Sequence, residues 1–228
     1  MFDGKFRAPV DRAVKPIGQG LRRTGLTPDH LTIVGLLVGI GAAVAIGAGE
    51  LRLGLVLVIL AALPDLLDGA LAKASDASSQ RGAFFDSTVD RITDSLLLGG
   101  ILWYFASTED PHMTLLPFAV AAVSSLISYQ RAKAESLGID AKGGLMERAE
   151  RIIAICVGLL WEPLLIPILW VMLALTSVTA IQRFVKVWKQ AAVAPVTAAR
   201  IEMRRSRRQS RRVARTERRR TRVPRRRT

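Results

Sequence analysis

The sequence predicts an all-α fold: an integral membrane bundle of six transmembrane helices with an N-terminal juxtamembrane amphipathic helix. Three observations carry this. Half of the 228 residues are hydrophobic, and the mean hydropathy is +0.28, too apolar for an ordinary soluble domain of this length. The apolar residues gather into six runs separated by short polar stretches. The basic residues fall almost wholly in alternate connections, as they do in chains oriented by positive-inside charge.

Residues 1–25 place Phe2, Phe6, Val10, Val14 and Ile17 three or four apart, among Lys5, Arg7, Arg12, Lys15, Arg22 and Arg23. That spacing predicts an amphipathic helix on an anionic leaflet, interrupted near Pro9 and Pro16. The first residues lack a long apolar core, so no cleavable signal peptide is expected. Thr27-Pro28-Asp29 is a helix start, with Thr as cap and Pro just inside. Leu31 to Ala48 is the first apolar run, with Gly35, Gly39, Gly41 and Gly47 allowing close helix approach. The second run, Leu51 to about Ala74, contains Pro64, where a kink or loosening is expected. Gly82–Tyr104, Thr114–Ser136, Ile152–Leu160 and Ile166–Trp188 complete the six, with a turn at Trp161-Glu162-Pro163.

Sorting the connections puts the leader, Lys73, Arg81, Arg131, Lys133, Lys142, Arg148, Arg151, Arg183 and the C-terminal tail on one side. Glu50, Arg52, Glu109, Asp110, His112 and Glu162 fall on the other. Both termini are therefore expected in the cytoplasm, which an even number of spans satisfies. From Arg200 to Thr228 there are 15 arginines against Glu202 and Glu217, net +13, while the rest of the chain carries 18 basic against 17 acidic residues. Residues 191–228 are too poor in apolar residues to build a core and are expected to be a disordered Arg-rich tail. At about 1 kcal/mol per basic residue near an anionic surface, this tail suits acidic membrane lipids. Few aromatics interleave the arginines, so specific nucleic-acid binding is not expected. Cys156 stands alone, which excludes an internal disulfide, and His30 and His112 lie far apart, without zinc-like spacing.

The chemistry concentrates between Pro64 and Asp94. Asp65 and Asp68 are three apart, and Asp86 and Asp90 four apart. Either spacing puts both carboxylates on one helix face. Antiparallel succession of spans brings all four to one membrane surface. An ionised carboxylate at membrane depth costs roughly 2.5 kcal/mol or more, so four together call for neutralisation. A divalent ion does this most simply, and all-carboxylate ligation suits Mg²⁺, Mn²⁺ or Ca²⁺ rather than Zn²⁺. Asp94 continues the row and either supports the site or pairs with an arginine.

This stretch resembles the signature of the CDP-alcohol phosphatidyltransferases, D-x2-D-G-x2-A-R-x8-G-x3-D-x3-D, in Asp65, Asp68-Gly69, Ala72-Lys73, Gly82, Asp86 and Asp90, with every spacing matched. Lys73 stands where the family has Arg, keeping the charge but losing the planar fork. The resemblance covers about residues 26–190. It implies a homodimer in the cell membrane of a bacterium, transferring the phosphatidyl group of CDP-diacylglycerol to an alcohol with release of CMP. It implies metal ligation by Asp65, Asp68, Asp86 and Asp90, with Mg²⁺ as cofactor and Mn²⁺ as alternative, and Asp90 as general base. It also implies a nucleotide site at Asp68, Gly69, Ala72, Lys73 and Gly82.

A second set, Ser128, Arg131, Lys133, Arg148, Arg151 and Arg183, comes from three spans on the same side. Convergent cations beside a hydroxyl suit a phosphate dianion, so a phosphorylated acceptor is expected. The stretches SYQRAKAE, GGLMERAERI and TSVTAIQR are similar to the actinobacterial phosphatidylinositol phosphate synthases, although that branch has Lys where Arg131 stands. Inositol phosphate is the acceptor so implied. Glycerol 3-phosphate, giving phosphatidylglycerophosphate, is the alternative within the same chemistry. The alternative of another class is a non-catalytic membrane protein whose tail recruits anionic partners.

Overall fold

The computed structural model describes residues 27–75, 79–108, 111–141 and 143–192, apart from the side chains of residues 28, 64–75 and 111. The leader, Lys142 and the tail lie outside the described residues, and the expectations for them rest on sequence alone. The described chain is all helical. Its helices are α1 (Pro28–Gly47), α2 (Leu51–Ser75), α3 (Gln80–Ala106), α4 (Leu115–Ser136), α5 (Arg148–Leu160) and α6 (Leu165–Ala191). Short 3₁₀ turns, Pro111–Thr114 and Glu162–Leu164, precede α4 and α6.

The starts and stops follow local chemistry. Thr27 caps α1: its Oγ1 accepts from the His30 amide at 3.3 Å, and the His30 ring Nδ1 accepts from the Thr27 amide at 3.4 Å. Two of the helix's orphan donors are thereby satisfied. Ser79 caps α3, its Oγ accepting from the Gly82 amide at 2.9 Å. The Glu150 carboxylate reaches back to the Glu147 amide at 3.2 Å and steadies the start of α5. α2 continues as helix through Pro64 to Ser75, so the proline expected to loosen this span does not end it.

α1 packs against α2 and α3, α4 against α3 and α6, and α5 against α2 and α6. The shared core holds Ile46, Val58, Leu97, Ile101, Val120 and Leu169. α1 and α3 cross at Gly100, where an added Cβ would lie 2.5 Å from the Ala43 carbonyl oxygen. Only hydrogen fits in that space. The outer faces are strongly apolar, with Leu37, Leu115, Phe118 and Ile181 exposed, as expected of helices whose solvent is lipid.

Six helices occupy the six predicted positions. Among the described residues, three segments are by themselves long and apolar enough to cross a membrane: Asp29–Gly47, His112–Ser136 and Glu162–Ala191. α5, at 13 residues, is about 20 Å long at 1.5 Å per residue, short of a hydrocarbon core of about 30 Å. α3 is long enough, but the stretch from its start to just past its middle carries Arg81, Asp86, Asp90, Arg91 and Asp94.

Candidate active site

The charged residues meet at the end of the bundle where α3 and α5 begin and α4 and α6 finish. The first turns of α1 and α3 are neighbours there: a Cβ on Gly82 would lie 3.7 Å from an Asp29 carboxylate oxygen. Asp86 and Asp90 follow on one face of α3 and are partly buried. Asp94 is one turn deeper, its side chain 12% exposed.

Two arginines of α5 cross to this row. Arg148 Nη1 lies 2.9 Å from Asp90 Oδ1, and its Nε lies 3.4 Å from Asp94 Oδ1. Arg151 Nη2 lies 2.5 Å from Asp94 Oδ2, and its side chain is 5% exposed. The spacings explain the match. Asp90 and Asp94 are four apart on one helix, Arg148 and Arg151 three apart on the other, so each pair presents a single face. Of the two readings of Asp94, the structure bears out the pairing one.

Arg183 of α6 is 5% exposed. Its Nη1 donates to the Ile127 carbonyl at 2.9 Å and its Nη2 to the Gly143 carbonyl at 3.1 Å. Nε is buried and makes no hydrogen bond among the described residues. Thr179, one turn before Arg183, accepts at Oγ1 from the amides of Leu145 and Met146, both at 3.2 Å. A Cβ on Gly144 would fall 2.4 Å from Thr179 Cγ2. Thr179 and Arg183 together hold the loop that leads into α5 and Arg148.

The other predicted residues are placed as follows. Ser128 Oγ donates to the Ser124 carbonyl of its own helix at 3.0 Å. Arg131 pairs with Glu135 at 3.0 Å and is 45% exposed. Lys133 is exposed in the last turn of α4. Gly82 stands in the first turn of α3. The side chains of Asp65, Asp68, Ala72 and Lys73, and the surroundings of Gly69, lie outside the described residues. The described part therefore offers Asp86 and Asp90 as metal donors and holds no group of three candidate ligands by itself. Their chemistry, carboxylate oxygens on one face, fits a hard divalent ion. Sequence reasoning missed Thr179. The signal for Thr179 was its position four residues before Arg183, on the same helix face.

Paired carboxylates and arginines thus gather at one end of an apolar helical bundle of membrane type. The CDP-alcohol phosphatidyltransferase profile matches residues 25–199. The phosphatidylinositol phosphate synthase of Mycobacterium tuberculosis is 36% identical over 196 residues, covering 80% of this chain and 88% of that one. The archaetidylinositol phosphate synthase of Methanothermobacter thermautotrophicus is 37% identical over 194 residues, covering 82% and 94%. The crystal structure of the Mycobacterium tuberculosis synthase with CDP-DAG bound superposes with a TM-score of 0.73 at 34% identity, covering 78% of this chain and 94% of that one. The same protein in complex with manganese and citrate gives 0.72 at 34% identity, covering 77% and 88%. The chain belongs to the CDP-alcohol phosphatidyltransferase family. It is an enzyme, a transferase of phospholipid biosynthesis.

Proposed function

We propose that this enzyme transfers the phosphatidyl group of CDP-diacylglycerol to inositol phosphate and releases CMP. It does so as a six-span homodimer in a bacterial cell membrane, with both termini cytoplasmic. The observation that carries the acceptor class is Arg183. A buried guanidinium whose Nε makes no hydrogen bond among the described residues has a donor left to offer an anion. A phosphate dianion takes such a donor in charge-assisted hydrogen bonds about twice as strong as neutral ones. Relatives that build on two different lipid anchors both carry inositol phosphate in their names, which supports this acceptor over glycerol 3-phosphate.

The acceptor phosphate sits among Arg148, Arg151 and Arg183, with Ser128, Arg131 and Lys133 at its outer edge. The acceptor hydroxyl oxygen attacks the phosphorus that bears the diacylglycerol. The bond from that phosphorus to the CMP oxygen breaks, and CMP leaves with the electron pair. Asp90 takes the hydroxyl proton, a step worth 10²–10⁴-fold for a positioned base. Gly69, Ala72 and Gly82 leave room for the nucleotide beside Asp68, and Lys73 contacts its phosphates as a point charge. Asp65, Asp68, Asp86 and Asp90 would hold divalent metal, Mg²⁺ or Mn²⁺. When bound, it neutralises the diphosphate and polarises the phosphoryl group.

The test is CMP release by the purified enzyme in detergent with CDP-diacylglycerol and Mg²⁺, offering inositol 1-phosphate, glycerol 3-phosphate, free inositol or serine. Release with inositol 1-phosphate alone is expected. Release with glycerol 3-phosphate instead would keep the mechanism and overturn the acceptor. No release with any of the four, from protein that binds Mg²⁺, would place the acceptor outside this set and overturn the proposal.

A further inference from the structure

Between α3 and α4 lies a small cavity of about 10 Å³, lined by Arg91, Asp94, Ser95, Ser124 and Ser125 together with Leu98 and Ala121. Ser124 is 4% exposed, and its Oγ is buried without a hydrogen bond among the described residues. That is out of pattern for this bundle. Ser128 donates to the Ser124 carbonyl at 3.0 Å, Thr176 to the Met172 carbonyl at 2.7 Å and Thr179 to the Leu175 carbonyl at 2.7 Å. A hydroxyl inside an apolar helix ordinarily takes the carbonyl four residues back in this way. Ser124 forgoes that bond and borders a polar cavity instead. A buried hydroxyl without a partner is costly, so the cavity is where its partner belongs. One water needs a volume of about 10–15 Å³ and two to four polar groups around it. Five of the seven lining residues carry polar side chains.

We infer that this cavity binds a single water, held between the Ser124 hydroxyl and the Asp94 carboxylate. The water donates to Asp94 and accepts from Ser124. Asp94 has the capacity, because a carboxylate offers about four lone-pair sites. Its two oxygens already meet Arg151 at 2.5 Å and Arg148 at 3.4 Å from the α5 side. The water fixes the same carboxylate from the α4 side, and a bridge of this kind is nearly as good as a direct hydrogen bond. Ser124 is thereby a positioning residue that acts through water and Asp94 on the two arginines. The kinetic consequence rests on the reading of Arg148 and Arg151 as acceptor-side cations. The water itself does not.

The experiment is Ser124→Ala in the full-length protein in detergent, read first as a melting temperature. The sign decides. Removing a hydroxyl that has no partner raises the melting temperature or leaves it unchanged. Removing one that holds a water takes a bond from both. A fall of about 2–4 °C is expected, the scale of one such bond in a chain of this size. A crystal structure of the wild-type chain that resolves waters is expected to show one within hydrogen-bond reach of Ser124 Oγ and Asp94. No water there, or a melting temperature that is unchanged or raised, would overturn the site. KM for inositol 1-phosphate is expected to rise several-fold in Ser124→Ala, with KM for CDP-diacylglycerol unchanged. Equal changes in both, or none, would overturn the positioning role and leave the water. An enzyme that turns over a different phosphorylated acceptor would fail the acceptor reading alone, and the same split is then read with that acceptor.

Discussion

The proposed role of Asp90 as base makes two demands on it, a neutralised charge and an open approach. It accepts a contact from Arg148 at 2.9 Å while its side chain remains 17% exposed, so it is both neutralised and reachable. Asp90→Asn keeps the shape and removes the basic oxygen. Turnover is expected to fall about 10²–10⁴-fold, with the melting temperature in detergent close to wild type. Unchanged CMP release from the folded variant would remove Asp90 from its role as base. Its identity and spacing are visible in the chain; the arginine it engages is not. Arg131, Arg148, Arg151 and Arg183 read alike as basic flanks, yet the first is held by Glu135 on its own helix and the last by two backbone carbonyls.

The helices act through a few close approaches. At Gly100 the backbones of α1 and α3 touch, which sets the angle at which α3 carries its aspartates past α1. Gly100→Ala forces a methyl against the Ala43 backbone and is expected to cost about 1–3 kcal/mol, read as a lower melting temperature. A melting curve identical to wild type would mean that α1 and α3 are free to separate there. The loop ahead of α5 depends on Thr179 in the same way. Thr179→Val preserves shape but leaves the Leu145 and Met146 amides unbonded, at about 1–3 kcal/mol for each that stays buried. Since that loop leads to Arg148, the expected kinetic sign is a raised KM for the acceptor with KM for CDP-diacylglycerol nearly unchanged. Equal rises in both would place the effect outside the acceptor side. The helix start at Thr27 was legible because a cap is a local event within four residues. The role of Thr179 was not, because its partners lie 33 and 34 residues away.

At the scale of the whole molecule, the charge is divided between a nearly neutral bundle and a tail of net +13. The family profile ends at residue 199, so most of the tail lies beyond the part that relatives share. Deleting residues 200–228 is expected to leave at least part of the turnover and to weaken binding of the solubilised protein to anionic vesicles, most at low salt. Complete loss of turnover in a folded, membrane-inserted truncation would make the tail part of the catalytic unit.

The sequence by itself determined the all-α class, the positions of six helices and the register of Asp86, Asp90 and Asp94 on one of them. All of these rest on spacing along one chain, where periods of three and four residues fix a face. The tertiary structure decided which cation meets which anion: Arg148 across Asp90 and Asp94, Arg151 on Asp94, and Arg183 turned to the carbonyls of Ile127 and Gly143. Those choices depend on distances between helices. Such distances follow from packing at contacts such as Gly100 and Ala43, which no spacing within one segment contains.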